Sequence, residues 1–212
     1  MKKKYTVGSL FAGIGGICSA FEKAGCEILW ANEWDEKACL TYEHNFRTKL
    51  LEGDIAEITD PLKLGKVDII VSGFPCQAFS VAGYRQGFED EKGRGNLFFE
   101  TARFIESIRP KAFMLENVRN LVSHDKGKTF DIIRKTIVED LNYSFIPFLL
   151  NSKNYGNIPQ TRDRIYVVGF KGESDFVFNL NEEPSQDLFN ANIDVTNTYT
   201  HNFKIPSKIK IV

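Results

Sequence analysis

An excess of either charge is missing from this chain: 27 basic side chains stand against 28 acidic ones in 212 residues, a formal net charge of −1. A global positive field that would draw the protein to nucleic acid is therefore absent, and any contact with DNA has to be local or supplied by another polypeptide. No run of about 18 apolar residues is present to cross a bilayer. The start, Met1-Lys2-Lys3-Lys4-Tyr5, lacks the apolar stretch of roughly 7–15 residues of a secretory signal. A cytoplasmic protein without a membrane partner is expected. Cys18, Cys26, Cys39 and Cys76 show no C-x-x-C spacing, and His44, His124 and His201 do not cluster with them. That argues against a disulfide framework and against a metal site, so the thiols are expected to be free.

What is present is an alternation of short apolar runs with segments of helical period, the pattern of a mostly parallel sheet covered by helices. Strands are expected over residues 5–11, 27–31, 49–51, 67–72, 111–115, 143–150 and 164–170. Leu97, Phe98, Ile105 and Ile108 mark one helix, and Phe130, Ile133, Ile137 and Leu141 another; residues 17–23 and 36–45 are further helices. The glycine-bearing stretch 73–96 breaks this rhythm and reads as a functional or disordered loop. Past Phe170 the composition turns polar, so residues 1–170 are expected to form the working domain and 171–212 a polar tail or linker, either a solvated end or a docking segment.

In an open α/β sheet, ligands lie beyond the carboxyl ends of the strands, so the residues that follow each apolar run carry the information. After the first run comes Phe11-Ala12-Gly13-Ile14-Gly15-Gly16, which fits a tight turn as well as a cofactor loop and does not match G-x-G-x-x-G. The second run leads into Asn32-Glu33-Trp34-Asp35, where an acidic residue about 20 positions past the glycines suits a ribose hydroxyl pair. Asp35 itself reads as a helix cap. Gly53-Asp54-Ile55 offers a carboxylate to an adenine amino group, or simply a turn. The fourth run ends in Gly73-Phe74-Pro75-Cys76-Gln77, and a cysteine there has the placement of a nucleophile. Cys18 and Cys39 read instead as small buried hydrophobes. Glu116-Asn117-Val118 follows the fifth run, so Glu116 projects a proton-shuttling group into the same cleft. Arg162 and Arg164, two apart entering an extended segment, present both guanidinium groups on one face, for a phosphate, a base edge or solvent.

Phe11–Gly16, Glu33-Trp34, Gly53-Asp54-Ile55, Pro75-Cys76-Gln77, Glu116-Asn117-Val118 and Gln160-Thr161-Arg162-Asp163-Arg164 follow one another in the order and spacing of the DNA cytosine-5 methyltransferase family. The chain resembles that family over residues 5–170. The resemblance implies a Rossmann-like, S-adenosylmethionine-dependent methyltransferase fold, with S-adenosylhomocysteine as product. It implies a cofactor site built from the glycine turn (Phe11, Ala12, Gly13, Gly15, Gly16), with Phe11 and Trp34 on the adenine, Glu33 on the ribose, Asp54 and Ile55 at the adenine's amino edge, Pro75 behind the sulfonium, and Leu97. It assigns Cys76 as nucleophile at cytosine C6, Glu116 to N3, Arg164 to the cytosine carbonyl and Arg162 to the neighbourhood of the thiolate. The partner it implies is DNA with one cytosine flipped out of the stack.

In that family the Gln-x-Arg-x-Arg strand precedes a variable DNA-reading region and two further motifs, and none of these follows Phe170 here. The expectation is therefore a catalytic half whose DNA recognition and last pocket wall come from a second polypeptide or another segment. A truncated S-adenosylmethionine-binding or partner-binding module and a tRNA cytosine-5 methyltransferase are the alternatives. A nicotinamide-dependent oxidoreductase is disfavoured by the glycine pattern.

Overall fold

The structure, a computed structural model, describes residues 4–75, 97–156 and 159–172. The chain divides into a unit over Met1–Val177 and a second, Phe178–Val212, which lies outside the described residues. Seven strands form one sheet: β1 (Thr6–Leu10), β2 (Glu27–Glu33), β3 (Lys49–Glu52), β4 (Ile69–Ser72), β5 (Ala112–Val118), β6 (Ile146–Asn151) and β7 (Asp163–Phe170). Their order is β3-β2-β1-β4-β5-β7-β6. The first five strands pair in parallel, while β7 runs antiparallel to both β5 and β6. The helices are α1 (Gly16–Lys23), α2 (Glu36–Asn45), α3 (Leu97–Ile108), α4 (Lys128–Lys135) and the short α5 (Ser152–Tyr155).

The two faces of the sheet are packed by different residues because side chains alternate along each strand. On one face Val7, Ile28, Ala31 and Val71 meet Cys18 of α1 and Tyr42 of α2. On the other the Trp30 ring lies against Phe104 of α3, their centroids 6.2 Å apart. Gly8 makes that possible, since a Cβ there would stand 2.2 Å from the indole. The expected apolar runs and helices all appear, but their ends differ. β2 runs on to Glu33 and β5 to Val118, because neighbouring strands supply partners there: Glu33 pairs with Glu52, and Glu116 with Tyr166. The helix expected through Leu141 instead loosens after Lys135 into a π-turn over Thr136–Asp140. That extra residue per turn still lets Ile133, Ile137 and Leu141 bury.

The amino edge of the sheet is closed by Asp68, which accepts from the Thr6 amide and hydroxyl at 3.0 Å each and from Lys111 Nζ at 2.8 Å. These bonds, led by that with Lys111, pull its carboxyl down to about 2. The carboxyl edge, where β1 to β5 all end, is open. The antiparallel β7 brings its first residues to the same edge, with Arg164 opposite Val118 and Asp163 opposite Asn151.

Candidate active site

A cavity of about 280 Å³ opens at the carboxyl edge. Its walls are Phe11 after β1, Asn32, Glu33 and Trp34 at the end of β2, Gly53, Asp54 and Ile55 after β3, Gly73 and Pro75 after β4, and Leu97 at the start of α3. The turn after β1 is set by backbone constraints. Phe11 and Gly13 take left-handed conformations at φ 53° and 56°, a state that costs a non-glycine residue about 1–2 kcal/mol. Gly15, at φ 95°, has no room for a side chain: a Cβ would lie 2.1 Å from the Phe46 ring. Gly13, Gly15 and Gly16 thus build the turn and open α1, and with Ala12 they stand outside the cavity wall.

Glu33 is fixed from three sides. Its Oε2 accepts from the Gly13 amide at 2.7 Å, and its Oε1 from the amides of Trp34 and Asp35 at 2.9 and 3.0 Å. A carboxylate has about four acceptor sites, and the described residues leave one on Oε2 for a ligand hydroxyl. Asp54 caps the following 3-10 turn, Oδ1 accepting from the Ala56 amide at 2.9 Å. Its Oδ2 has no bond among the described residues. Trp34 is 76 % exposed at the mouth. No lysine or arginine is among the described lining residues; the polar side chains there are Asn32, Glu33 and Asp54, whose free atoms accept hydrogen bonds, and Trp34, whose indole N–H donates. A pyrophosphate would meet repulsion in such a wall, whereas a nucleoside's hydroxyls and amino group, or a cationic ligand, find partners.

Beside this cavity, Glu116 Oε1 pairs with Arg164 Nε at 2.9 Å, both side chains largely buried. Gly73 lies beside them, Glu116 Oε2 standing 3.7 Å from where a Cβ would be, an ordinary contact distance. Asn117 donates from Nδ2 to the Phe74 carbonyl at 2.8 Å and accepts at Oδ1 from the Val118 amide. It therefore anchors the backbone one residue before Pro75. Cys76, the expected nucleophile, and loop residues 77–96 lie outside the described residues. Arg162 falls one residue before β7 and is exposed, and its carbonyl accepts from the Ser152 amide at 3.1 Å. Tyr166 faces Glu116 across the β5–β7 ladder, and burial, then the Glu116 charge, pushes its phenol up.

The other cysteines are unsuited to nucleophilic work. Burial raises the Cys18 and Cys26 thiols, and burial with the Glu52 and Glu33 charges takes Cys39 up to about 11. All three are free. Asp35 caps α2 through the Ala38 amide at 2.8 Å, as its position suggested. Asn32, Asn117 and Tyr166 are functional candidates to which the motifs assigned no role, though Asn117 lies inside one of them. Only the buried asparagines in a ligand-facing edge carried a signal.

The fold is that of solved methyltransferases. A putative DNA modification methyltransferase encoded by an E. coli prophage superposes with a TM-score of 0.66 at 24 % identity, over 88 % of this chain and 50 % of its own. A DNMT2 variant from Spodoptera frugiperda gives 0.65 at 25 %, over 85 % and 56 %. The family model for C-5 cytosine-specific DNA methylase matches residues 5–210, beyond the motifs that end near residue 170. Type II methyltransferase M.Bsp6I of Bacillus sp. (strain RFL6) is 51 % identical over 166 residues, 78 % of this chain and 52 % of that protein. M.HpaII of Haemophilus parainfluenzae is 50 % identical over 173 residues, 80 % and 47 %. The chain belongs to the C-5 cytosine-specific DNA methylase family, and it spans about half the length of these curated relatives.

Proposed function

We propose that this chain binds S-adenosylmethionine in the carboxyl-edge cavity and carries the nucleophile and acid group for methyl transfer to C5 of cytosine in DNA. The observation that carries this is the junction at Gly73–Pro75. There the Glu116–Arg164 pair and the Asn117 anchor on Phe74 meet a cavity whose polar side chains offer acceptors. Glu33 takes a ribose hydroxyl, Phe11 and Trp34 cover the adenine, Asp54 and Ile55 meet its amino edge, and Leu97 and Pro75 complete the wall. When bound, the cofactor supplies an electrophilic methyl group.

Cytosine C5 is too poor a nucleophile to take it unaided. The Cys76 thiolate forms a bond to C6, and the displaced electron pair makes C5 enamine-like as charge builds at N3. Glu116 hydrogen-bonds or protonates N3, oriented by Arg164, which also reaches the cytosine carbonyl. Arg162 favours the thiolate. After C5 is methylated, a solvent base takes its proton and Cys76 leaves with the electrons of the sulfur–carbon bond. The cytosine has to leave the stack to be reached, at a cost of a few kcal/mol. A second polypeptide supplies DNA reading and the remaining pocket wall, with residues 171–212 as its docking segment, in a cytoplasmic restriction-modification setting.

The test is transfer of labelled methyl to unmethylated DNA, by the chain alone and with the C-terminal half of a family member added, beside S-adenosylhomocysteine binding by calorimetry. We expect cofactor binding that Glu33→Ala weakens, and 5-methylcytosine that Cys76→Ala abolishes. Binding without transfer in either arm would leave a non-catalytic module, and transfer to tRNA in place of DNA would reassign the substrate.

A further inference from the structure

Asn32 is 2 % exposed, lines the cavity, and has no role in the proposed chemistry. Both hydrogens of its side-chain amide are spent on the chain that leaves β3: Nδ2 donates to the Leu51 carbonyl at 2.9 Å and to the Gly53 carbonyl at 3.0 Å. The Gly53 amide donates in turn to the Glu33 carbonyl at 2.9 Å. The peptide groups on either side of the Gly53 Cα are thus tied to the end of β2 while that residue sits at φ 130°, in the region favouring glycine. Asp54 is the next residue. Arg103 of α3 holds the far side of the turn, donating to the carbonyls of Ile55 and Ile58.

We propose that Asn32 is the positioning residue for base recognition: by clamping the Gly53 carbonyl it aims the free Asp54 Oδ2 at an exocyclic amino group. This rests on the assignment of the cavity to an adenosyl ligand. An acceptor aimed by the fold selects an amino group over a carbonyl oxygen at the same ring position, because the carbonyl sets two acceptors against each other. Asn32 therefore governs which base is accepted as well as how tightly it is held. Its own Oδ1, without a bond among the described residues, adds a further acceptor to the same wall.

The experiment compares Kd values of S-adenosylhomocysteine and S-inosylhomocysteine, in which the amino group is replaced by oxygen, by calorimetry on the full chain. Wild type is expected to favour the adenosyl ligand by about tenfold or more. In Asn32→Ala, and in the isosteric Asn32→Asp, which has no N–H to donate, the ratio is expected to fall to within about threefold, chiefly through the adenosyl ligand. Asp54→Ala should abolish the preference alone, and Asn32→Ala should add nothing to it in that background, the non-additivity of residues acting as one unit. Thermal unfolding without ligand identifies a variant that fails to fold, and Asn32→Ser then replaces it. A purely structural role would weaken both ligands equally and keep the ratio, which would overturn the inference. A wild type that binds neither ligand or shows no preference would overturn the adenosyl assignment beneath it.

Discussion

The two edges of the sheet are built from the same strands and solve opposite problems. At the amino edge, Asp68 gathers the Thr6 amide and hydroxyl and the ammonium of the exposed Lys111, so charge and donors neutralise one another. At the carboxyl edge, Phe11 is held in a left-handed conformation, Trp34 stands in solvent, and Glu33, Asn32 and Asp54 keep acceptor sites that the described residues do not fill. Unspent hydrogen-bonding capacity lies where a ligand can use it, and the closed edge sustains the fold that permits this.

If that division holds, substitutions at the two edges should separate activity from stability. The largest effect is expected at the open edge: Cys76→Ala should abolish methyl transfer in any system where the wild type is active. Glu116→Gln should lower it by about 10²–10⁴-fold, measured with labelled cofactor. Next is Gly8→Ala, midway between the edges, where the new Cβ meets the Trp30 indole. It should cost about 3 kcal/mol in urea unfolding without altering the relative affinity for adenosyl and inosyl ligands.

Asp68→Asn at the closed edge should cost about 1–2 kcal/mol and leave cofactor affinity unchanged. Its pH signature follows from a folded pKa below the unfolded one. The stabilisation is complete above the unfolded value of about 3.9 and is lost as pH falls through about 2. The wild-type advantage over Asp68→Asn in denaturant melts should therefore shrink over that range. The smallest effect is expected for Asp35→Ala, which removes the α2 cap and should cost about 1 kcal/mol. Asp35 lies beside Glu33 but outside the cavity wall, so loss of cofactor affinity far beyond that of stability would break the comparison.

Much of the open edge was legible before the fold was known. Phe11, Glu33, Trp34, Asp54, Ile55, Pro75 and Leu97, named from scattered motifs, line one cavity, and Glu116 with Arg164 forms one ion pair. Each sits at or just beyond an apolar run, and in a parallel sheet all such ends converge. Less legible were the strand ends. Glu116 and Asn117 were expected just past a strand and are part of one, because the antiparallel β7 extends the ladder under them. The π-turn after Lys135 was hidden as well, since the apolar spacing of three and four survives it.

By itself, the sequence determined which groups the protein has to offer and where its strands and helices run. Those follow from local periodicity, from the backbone demands of glycines such as Gly15, and from side-chain chemistry. Only the tertiary structure decided what those groups are free to do. Asn32 acquires its role from carbonyls 19 and 21 residues away, and Asn117 from one 43 residues away. An amide side chain in a sequence carries no mark of its partner. Hydrogen bonds of that reach exist only once the sheet has brought its strand ends together, and they set which acceptors are spent and which remain for a ligand.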